Sequence, residues 1–96
     1  MPTPWFSKRL VLRGRVQGVG CRAQVMAVVE SVGHISGWVK NLPDGNVEVV
    51  VKGPDWRIKD VEEIFRSGLL PPVRIDQIDV EDLPQDFAVL GFVIRR

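Results

Sequence analysis

The sequence is poor in cysteine, in long apolar runs and in excess charge, and each shortage excludes a class of protein. Cys21 is the only cysteine, so one chain can form neither an internal disulfide nor a cysteine-rich metal site. No run approaches the roughly 20 apolar residues of a membrane-spanning helix, and the first residues contain no signal-peptide core. The formal net charge is only +1, whereas general nucleic-acid binding requires a strong basic excess. These shortages predict a cytoplasmic protein that binds neither membranes nor nucleic acids.

Length and composition predict one globular domain. The chain has 96 residues, which favours one domain over two. Its 45% of hydrophobic and 26% of charged residues are typical of a folded chain rather than a disordered one. Residues 1–6 contain two prolines and are predicted to form a loose leader. Residues 7–96 are predicted to form the domain. We also predict a monomer.

The hydrophobic pattern changes twice in the first half of the chain. Residues 8–16 alternate between polar and apolar, which predicts a strand. Two glycines within Gln17–Gly20 indicate a loop with unusual backbone angles. In residues 22–32 the valines at positions 25, 28, 29 and 32 follow helical spacing, which predicts a helix that packs one stripe on a sheet. Gly33 is its predicted end.

The second half predicts a hairpin, a second helix and two further strands. Residues 35–42 and 46–52 are predicted to pair through a turn at Leu42–Gly45, where proline and glycine supply the angles. The second helix is predicted to begin with Asp55 as its N-cap and to end at Gly68. Residues 75–81 and 91–95 are predicted strands. The predicted buried stripe of the second helix comprises Trp56, Ile58, Val61, Ile64 and Phe65.

The predicted order of elements is that of a ferredoxin-like α+β sandwich. Strand, helix, strand, strand, helix and strand follow one another, and a short extra strand ends the chain. In this βαββαβ fold an antiparallel sheet carries both helices on one face, and its crossovers are right-handed. Because the architecture hosts many unrelated activities, function has to be argued from a site.

The start of the first helix breaks a rule of local stability. Arg22 places a cation at the positive end of the helix dipole, which costs about 0.3–1 kcal/mol, and residues 13–21 contain no carboxylate. A bound anion would remove the conflict if the amides around Gly18 and Gly20 formed a nest that Arg22 closes. From the residues alone, a tight turn with an arginine that reaches solvent is supported about equally.

Two separate blocks resemble signature segments of the acylphosphatase family. Residues 14–22 read Gly-Arg-Val-Gln-Gly-Val-Gly-Cys-Arg and are similar to that family's loop, usually Gly-x-Val-Gln-Gly-Val-x-Phe-Arg. Residues 33–41, Gly-His-Ile-Ser-Gly-Trp-Val-Lys-Asn, resemble its second block, which residues 44–47 continue. Gly53 and the ending at residues 91–95 also fit, so the similarity extends from about Leu10 to Arg95.

The resemblance implies a hydrolase of small acyl phosphates that uses no cofactor and no metal. It implies that loop amides hold the phosphoryl group, that the Arg22 guanidinium chelates its oxygens, and that Asn41 holds the attacking water. Inorganic phosphate would then be both product and inhibitor. An acyl phosphate is already activated, so positioning and electrostatic stabilisation suffice. The substrate-binding residues implied in this way are Gln17, Gly18, Val19, Gly20 and Cys21.

The chain departs from the family pattern at Cys21, where phenylalanine is usual. A helix N-terminus and an adjacent arginine can lower the pKa of a thiol, but no histidine lies nearby in sequence to activate it. We therefore interpret Cys21 as a packing substitution, small enough to leave a void at the base of the loop.

Three alternatives use the same fold. A non-catalytic module that binds phosphate or carbamoyl phosphate stays open, since related domains begin larger hydrogenase-maturation proteins; the short chain favours the free-standing enzyme. An RNA-binding domain would stack bases on aromatic residues of its two central strands, and residues 8–16 and 46–52 contain none. A copper carrier would require a paired-cysteine loop.

The other polar and aromatic candidates have simpler interpretations. His34 is predicted to be a solvated loop residue, and Trp38 and Trp56 are predicted to pack in the core or at an edge. The acidic residues between positions 76 and 86 lack the spacing of a metal-binding loop and are predicted to form a solvated face. They are Asp76, Asp79, Glu81, Asp82 and Asp86.

Overall fold

The computed structural model describes residues 5–84 and 90–95, which form a five-stranded sheet with two helices. The strands lie in the order β4-β1-β3-β2-β5, and this arrangement confirms the predicted ferredoxin-like α+β fold. The elements in chain order are β1 (Trp5–Arg15), α1 (Cys21–Val32), β2 (Ser36–Asn41), β3 (Val47–Pro54), α2 (Asp55–Ser67), β4 (Arg74–Asp82) and β5 (Phe92–Arg95).

The edges of the sheet differ from the prediction in two respects. β5 runs parallel to β2, with Val39 opposite Ile94, so the sheet is mixed rather than antiparallel throughout. β1 begins at Trp5 rather than at residue 8, because Trp5 and Phe6 pair with the last residues of β3. Two residues assigned to the leader therefore belong to the sheet.

The hydrophobic core lies between one face of the sheet and both helices. Alternate residues of the central strands, among them Leu10 on β1 and Val49 on β3, are fully buried there. Val25 and Val29 of α1 join the same cluster, as their helical spacing predicts. Burying each such side chain contributes about 1.5–3 kcal/mol, so packing holds a helix whose valines are mediocre helix formers.

The predicted buried stripe of α2 is wrong at two positions. Ile58, Val61 and Phe65 are buried, but Trp56 is 52% exposed and Ile64 is 37% exposed. Trp56 precedes Ile58 by two residues, which places it about 200° around the helix from the core-facing stripe. Its ring packs instead against the guanidinium of the next residue, Arg57.

The ends of the helices are partly as predicted. Gly33 and Gly68 end α1 and α2. Pro54, not Asp55, is the N-cap of α2, and no side chain caps that helix. Asp55 is the first helical residue and forms an ion pair with Lys59 at 3.0 Å, so its carboxylate still complements the helix dipole.

The sheet surface opposite the helices, the open face, is organised around the carboxylate of Glu48 on β3. Glu48 is 7% exposed, and it accepts hydrogen bonds from Arg9 Nε at 2.6 Å and from Trp38 Nε1 at 2.9 Å. Burial raises the pKa of Glu48, but the hydrogen bonds from Arg9 and Trp38, together with the charges of Lys40 and Arg9, bring the pKa below its ordinary value. Trp38 is therefore a packing residue of this face.

The acidic stretch of β4 takes part in ion pairs on the same surface. Asp79 contacts Arg13, and Glu81 contacts Arg9; Asp86 lies outside the described residues. His34 is exposed between α1 and β2, as predicted. Within residues 5–84 and 90–95, no helix has the length and apolar character needed to cross a membrane.

We predict that Glu48→Gln lowers the free energy of unfolding by about 1–3 kcal/mol at neutral pH, because charge-assisted hydrogen bonds are lost. The folded-state pKa of Glu48 lies below its ordinary value. The carboxylate therefore stabilises the fold above the ordinary glutamate pKa, and the stabilisation is lost as the pH falls through the folded-state value. Urea unfolding at neutral pH and near pH 3 should show a difference that shrinks in acid.

Glu81→Gln is the matched control for this measurement. Glu81 also contacts Arg9, at 3.2 Å, but its side chain is 58% exposed. An exposed ion pair contributes at most about 1 kcal/mol. Equal losses in the two variants, or a loss in Glu48→Gln that does not change with pH, would show that the buried carboxylate does not organise this face.

Candidate active site

The loop between β1 and α1 places two glycines in the left-handed backbone region. Gly18 has φ 71° and Gly20 has φ 79°, and Gly20 is the N-cap residue of α1. A Cβ at either position would meet no atom within 4 Å. Glycine is therefore required by the backbone angles, which cost another residue about 1–2 kcal/mol, and the surface above the loop stays open.

The first turn of α1 has no acceptor of its own for its backbone amides. No side chain caps the helix, and its first turn contains no acidic residue. The first amides of any helix lack partners within the helix, and the helix dipole adds partial positive charge there. The amides from Cys21 to Ala23 therefore favour an anion.

The loop and the helix start border a cavity of about 280 Å³. The cavity brings Arg22 together with Asn41, the last residue of β2. It also contains Ile94 of β5, which sequence reasoning did not select; the chain offers no sequence signal for it, because its place depends on the parallel pairing with β2. The lining residues are Val16, Gly18, Gly20, Cys21, Arg22, Ala23, Asn41 and Ile94.

Asn41 lines this cavity and has a buried side-chain oxygen. It follows Val39 by two residues on β2 and so lies on the helix-facing side of the sheet. Its Oδ1 is buried and has no hydrogen-bond partner among the described residues. A buried acceptor without a partner costs about 1–3 kcal/mol, so a donor supplied by a ligand or by water would stabilise this arrangement.

Arg22 is half-buried beside the glycine loop. Its Nη1 donates to the carbonyl oxygen of Arg95 at 3.5 Å, a long contact at the end of β5. A planar guanidinium in this place can present two parallel donors to the oxygens of a phosphoryl group.

Gln17 and Val19 do not line the cavity with their side chains. Gln17 Nε2 donates to the carbonyl oxygens of Leu42 at 2.7 Å and of Asn46 at 2.8 Å, the residues that flank the turn between β2 and β3. Val19 packs against the hydrophobic core. Of these two residues, only the backbone amides are left for the predicted contact with substrate.

Cys21 lies at the base of the loop and packs in the core. It is 2% exposed, and burial raises the pKa of its thiol to about 11. The raised pKa favours the protonated thiol at neutral pH, whereas the thiolate is the nucleophilic form. The interpretation of Cys21 as a packing residue is confirmed.

The fold and the loop together define a ferredoxin-like domain with a glycine loop before a helix start that no side chain caps, and comparison with known proteins identifies the family. A family model described as Acylphosphatase matches residues 8–94. An acylphosphatase of Rhizorhabdus wittichii is 41% identical over 79 residues, which cover 82% of this chain and 78% of the relative. The chain belongs to the acylphosphatase family of hydrolases.

Solved structures agree with this assignment. The crystal structure of acylphosphatase from Bacillus subtilis matches with a TM-score of 0.86 at 31% identity, and the match covers 95% of this chain and 99% of that one. Full-length HypF matches with a TM-score of 0.86 at 19% identity, over 100% of this chain and 12% of HypF. At that identity the HypF match shows a shared fold alone.

We predict that Gln17→Glu destabilises the protein more than Gln17→Ala at neutral pH. The glutamate has the same shape but would place a charged acceptor against two carbonyl oxygens, whereas alanine only removes the donor, at a cost of about 1 kcal/mol for each bond. Urea unfolding measures the stability, and amide NMR spectra locate the change at the glycine loop and the Leu42–Asn46 turn. A Gln17→Glu variant as stable as the wild type would show that this bridge contributes nothing.

Proposed function

We propose that the chain hydrolyses the carboxyl–phosphate bond of small acyl phosphates to a carboxylate and inorganic phosphate. The phosphoryl group lies on the amides of the glycine loop and the first turn of α1, with the guanidinium of Arg22 on its oxygens. Asn41 orients the attacking water. The observation that carries the proposal is the shared cavity, which the start of α1, Arg22 and Asn41 all line; the buried Oδ1 of Asn41 has no hydrogen-bond partner among the described residues.

The residues fit a hydrolysis that needs little more than positioning. Water attacks phosphorus, the bond from phosphorus to the acyl oxygen breaks, and the carboxylate leaves with the electron pair; the proton of the water passes to solvent or to the released phosphate. The weakly basic carboxylate needs no general acid to leave. Charge on the phosphoryl oxygens is stabilised by donors that are already in place.

The amide of Asn41 suits the orientation of water. Its oxygen accepts a hydrogen bond at any ordinary pH, since an amide does not titrate. Oδ1 has no hydrogen-bond partner among the described residues, so it keeps its acceptor capacity for that water. The only thiol of the chain is protonated at neutral pH, so water rather than Cys21 is the nucleophile in this mechanism.

We predict that Asn41→Ala and Arg22→Ala damage different kinetic constants. Asn41 contacts mainly the attacking water, so its loss should lower kcat by on the order of 10²–10³ while KM changes little. Arg22 contacts the phosphoryl group in the ground state and in the transition state, so its loss should raise KM and lower kcat together. Phosphate release from acetyl phosphate measures both constants.

Asn46→Ala provides the matched control. Asn46 lies at the far end of the turn that follows Asn41, but it does not line the cavity. It should keep near-normal kinetics, and the melting temperature of each variant excludes loss of fold. A near-normal kcat in a folded Asn41→Ala variant would remove Asn41 from the mechanism. Phosphate binding by the wild type without any phosphate release from acetyl phosphate would instead indicate a non-catalytic binding module.

A further inference from the structure

The cavity changes in character from its floor to its mouth. Val16 and Cys21 are each 2% exposed and form the floor beneath the glycine loop. Ala23 is exposed in the first turn of α1, and Ile94 of β5 is 43% exposed. Both line the cavity, so the mouth carries two apolar side chains that face solvent.

The direction of the reaction brings the acyl group to this mouth. In an in-line displacement the attacking and leaving oxygens lie on opposite sides of phosphorus. Val16 and Cys21 close the floor of the cavity, so the leaving carboxylate and its acyl chain have room only toward the solvent-exposed mouth. The acyl chain then extends past the exposed side chains at the rim.

The cation that follows Ile94 is turned to the other side of the sheet. The guanidinium of Arg95 lies over the ring of Trp38, 4.1 Å from its centroid, and Trp38 belongs to the open face through its bond to Glu48. Side chains alternate between the faces of a strand, so Ile94 stands on the cavity side and Arg95 does not. The mouth at β5 therefore offers an apolar surface and no cation from Arg95 to attract an anionic acyl group.

We propose that Ile94 is a specificity-determining residue that contacts the acyl chain and favours acyl phosphates with an extended apolar acyl group. This inference rests on the proposed hydrolysis at the same cavity. An isoleucine that is 43% exposed retains apolar surface for a ligand to cover, and covering such surface is favourable in proportion to the area removed from water. A hexanoyl group carries more apolar surface than an acetyl group, so a contact with Ile94 should favour hexanoyl phosphate.

The test compares kcat/KM for hexanoyl phosphate and acetyl phosphate in the wild type, Ile94→Ala and Ile94→Thr. The wild type should prefer hexanoyl phosphate. Ile94→Ala should reduce the ratio of the two constants by about tenfold, the lower range for a change of apolar contact in a pocket, because the loss on hexanoyl phosphate should exceed the loss on acetyl phosphate. Ile94→Thr keeps a β-branched side chain on the edge strand and should also lower the ratio.

Val93→Ala is the matched control, because Val93 is 40% exposed on the same strand but pairs with Trp38 on the open face. It should leave the ratio unchanged. An unchanged ratio in folded Ile94→Ala and Ile94→Thr, or equal losses on both substrates, would overturn the specificity role of Ile94. Acetyl phosphate hydrolysis by the wild type would still support the proposed function in that case. Failure of the wild type to hydrolyse acetyl phosphate would instead refute the proposed function.

Discussion

The site depends on the side-chain amide of Gln17, which joins two segments that are distant in the chain. One nitrogen, Nε2, donates to the carbonyl oxygens of both Leu42 and Asn46. The first segment is the glycine loop with its exposed amides, and the second is the turn directly after Asn41. A part-buried donor shared by two acceptors fixes both distance and orientation, since each bond weakens steeply away from its preferred geometry.

The two faces of the sheet divide structural and chemical roles. On the open face, Arg9 and Trp38 satisfy the buried carboxylate of Glu48, and Trp38 also carries the guanidinium of Arg95. On the other face, the end of β2 brings Asn41 to the helix start with Arg22. Side chains alternate between the faces of a strand, so the cations and the carboxylate of the open face lie away from the cavity. Among the described residues that line the cavity, only Arg22 is charged.

Much of the fold could be predicted because local patterns agree with the global packing. The valine spacing of α1 fits a helix, and the proline and glycine of Leu42–Gly45 fit a tight turn between two strands. The structure forms both. The prediction of a buried Trp56 was wrong, because a large apolar residue in the first turn of a helix suggests burial. Its position around the helix axis places it on the solvent side instead. The parallel pairing of β5 depends on long-range contacts with β2, which a pattern of four residues does not contain.

The residues of the site were predictable to different degrees. Arg22 conflicts with the helix dipole, and that conflict is visible in the sequence. The orphaned oxygen of Asn41 is not visible there, because a polar residue before a proline-containing turn has an ordinary structural explanation. For Gln17 the resemblance implies a contact of the loop amide with substrate and gives no role to the side chain. The bonds of that side chain to the β2–β3 turn are seen only in the tertiary structure, which supplies the acceptors.

The proposed site requires that a phosphoryl group lie on the amides of the loop and helix start, closed by Arg22. Titration of inorganic phosphate into the isotope-labelled protein, followed by amide NMR, measures this binding residue by residue. We expect saturable shifts concentrated at residues 18–23 and at the side-chain amide of Asn41, with much weaker binding in Arg22→Ala. Shifts confined to other parts of the chain, or binding of equal strength in the wild type and Arg22→Ala, would contradict it.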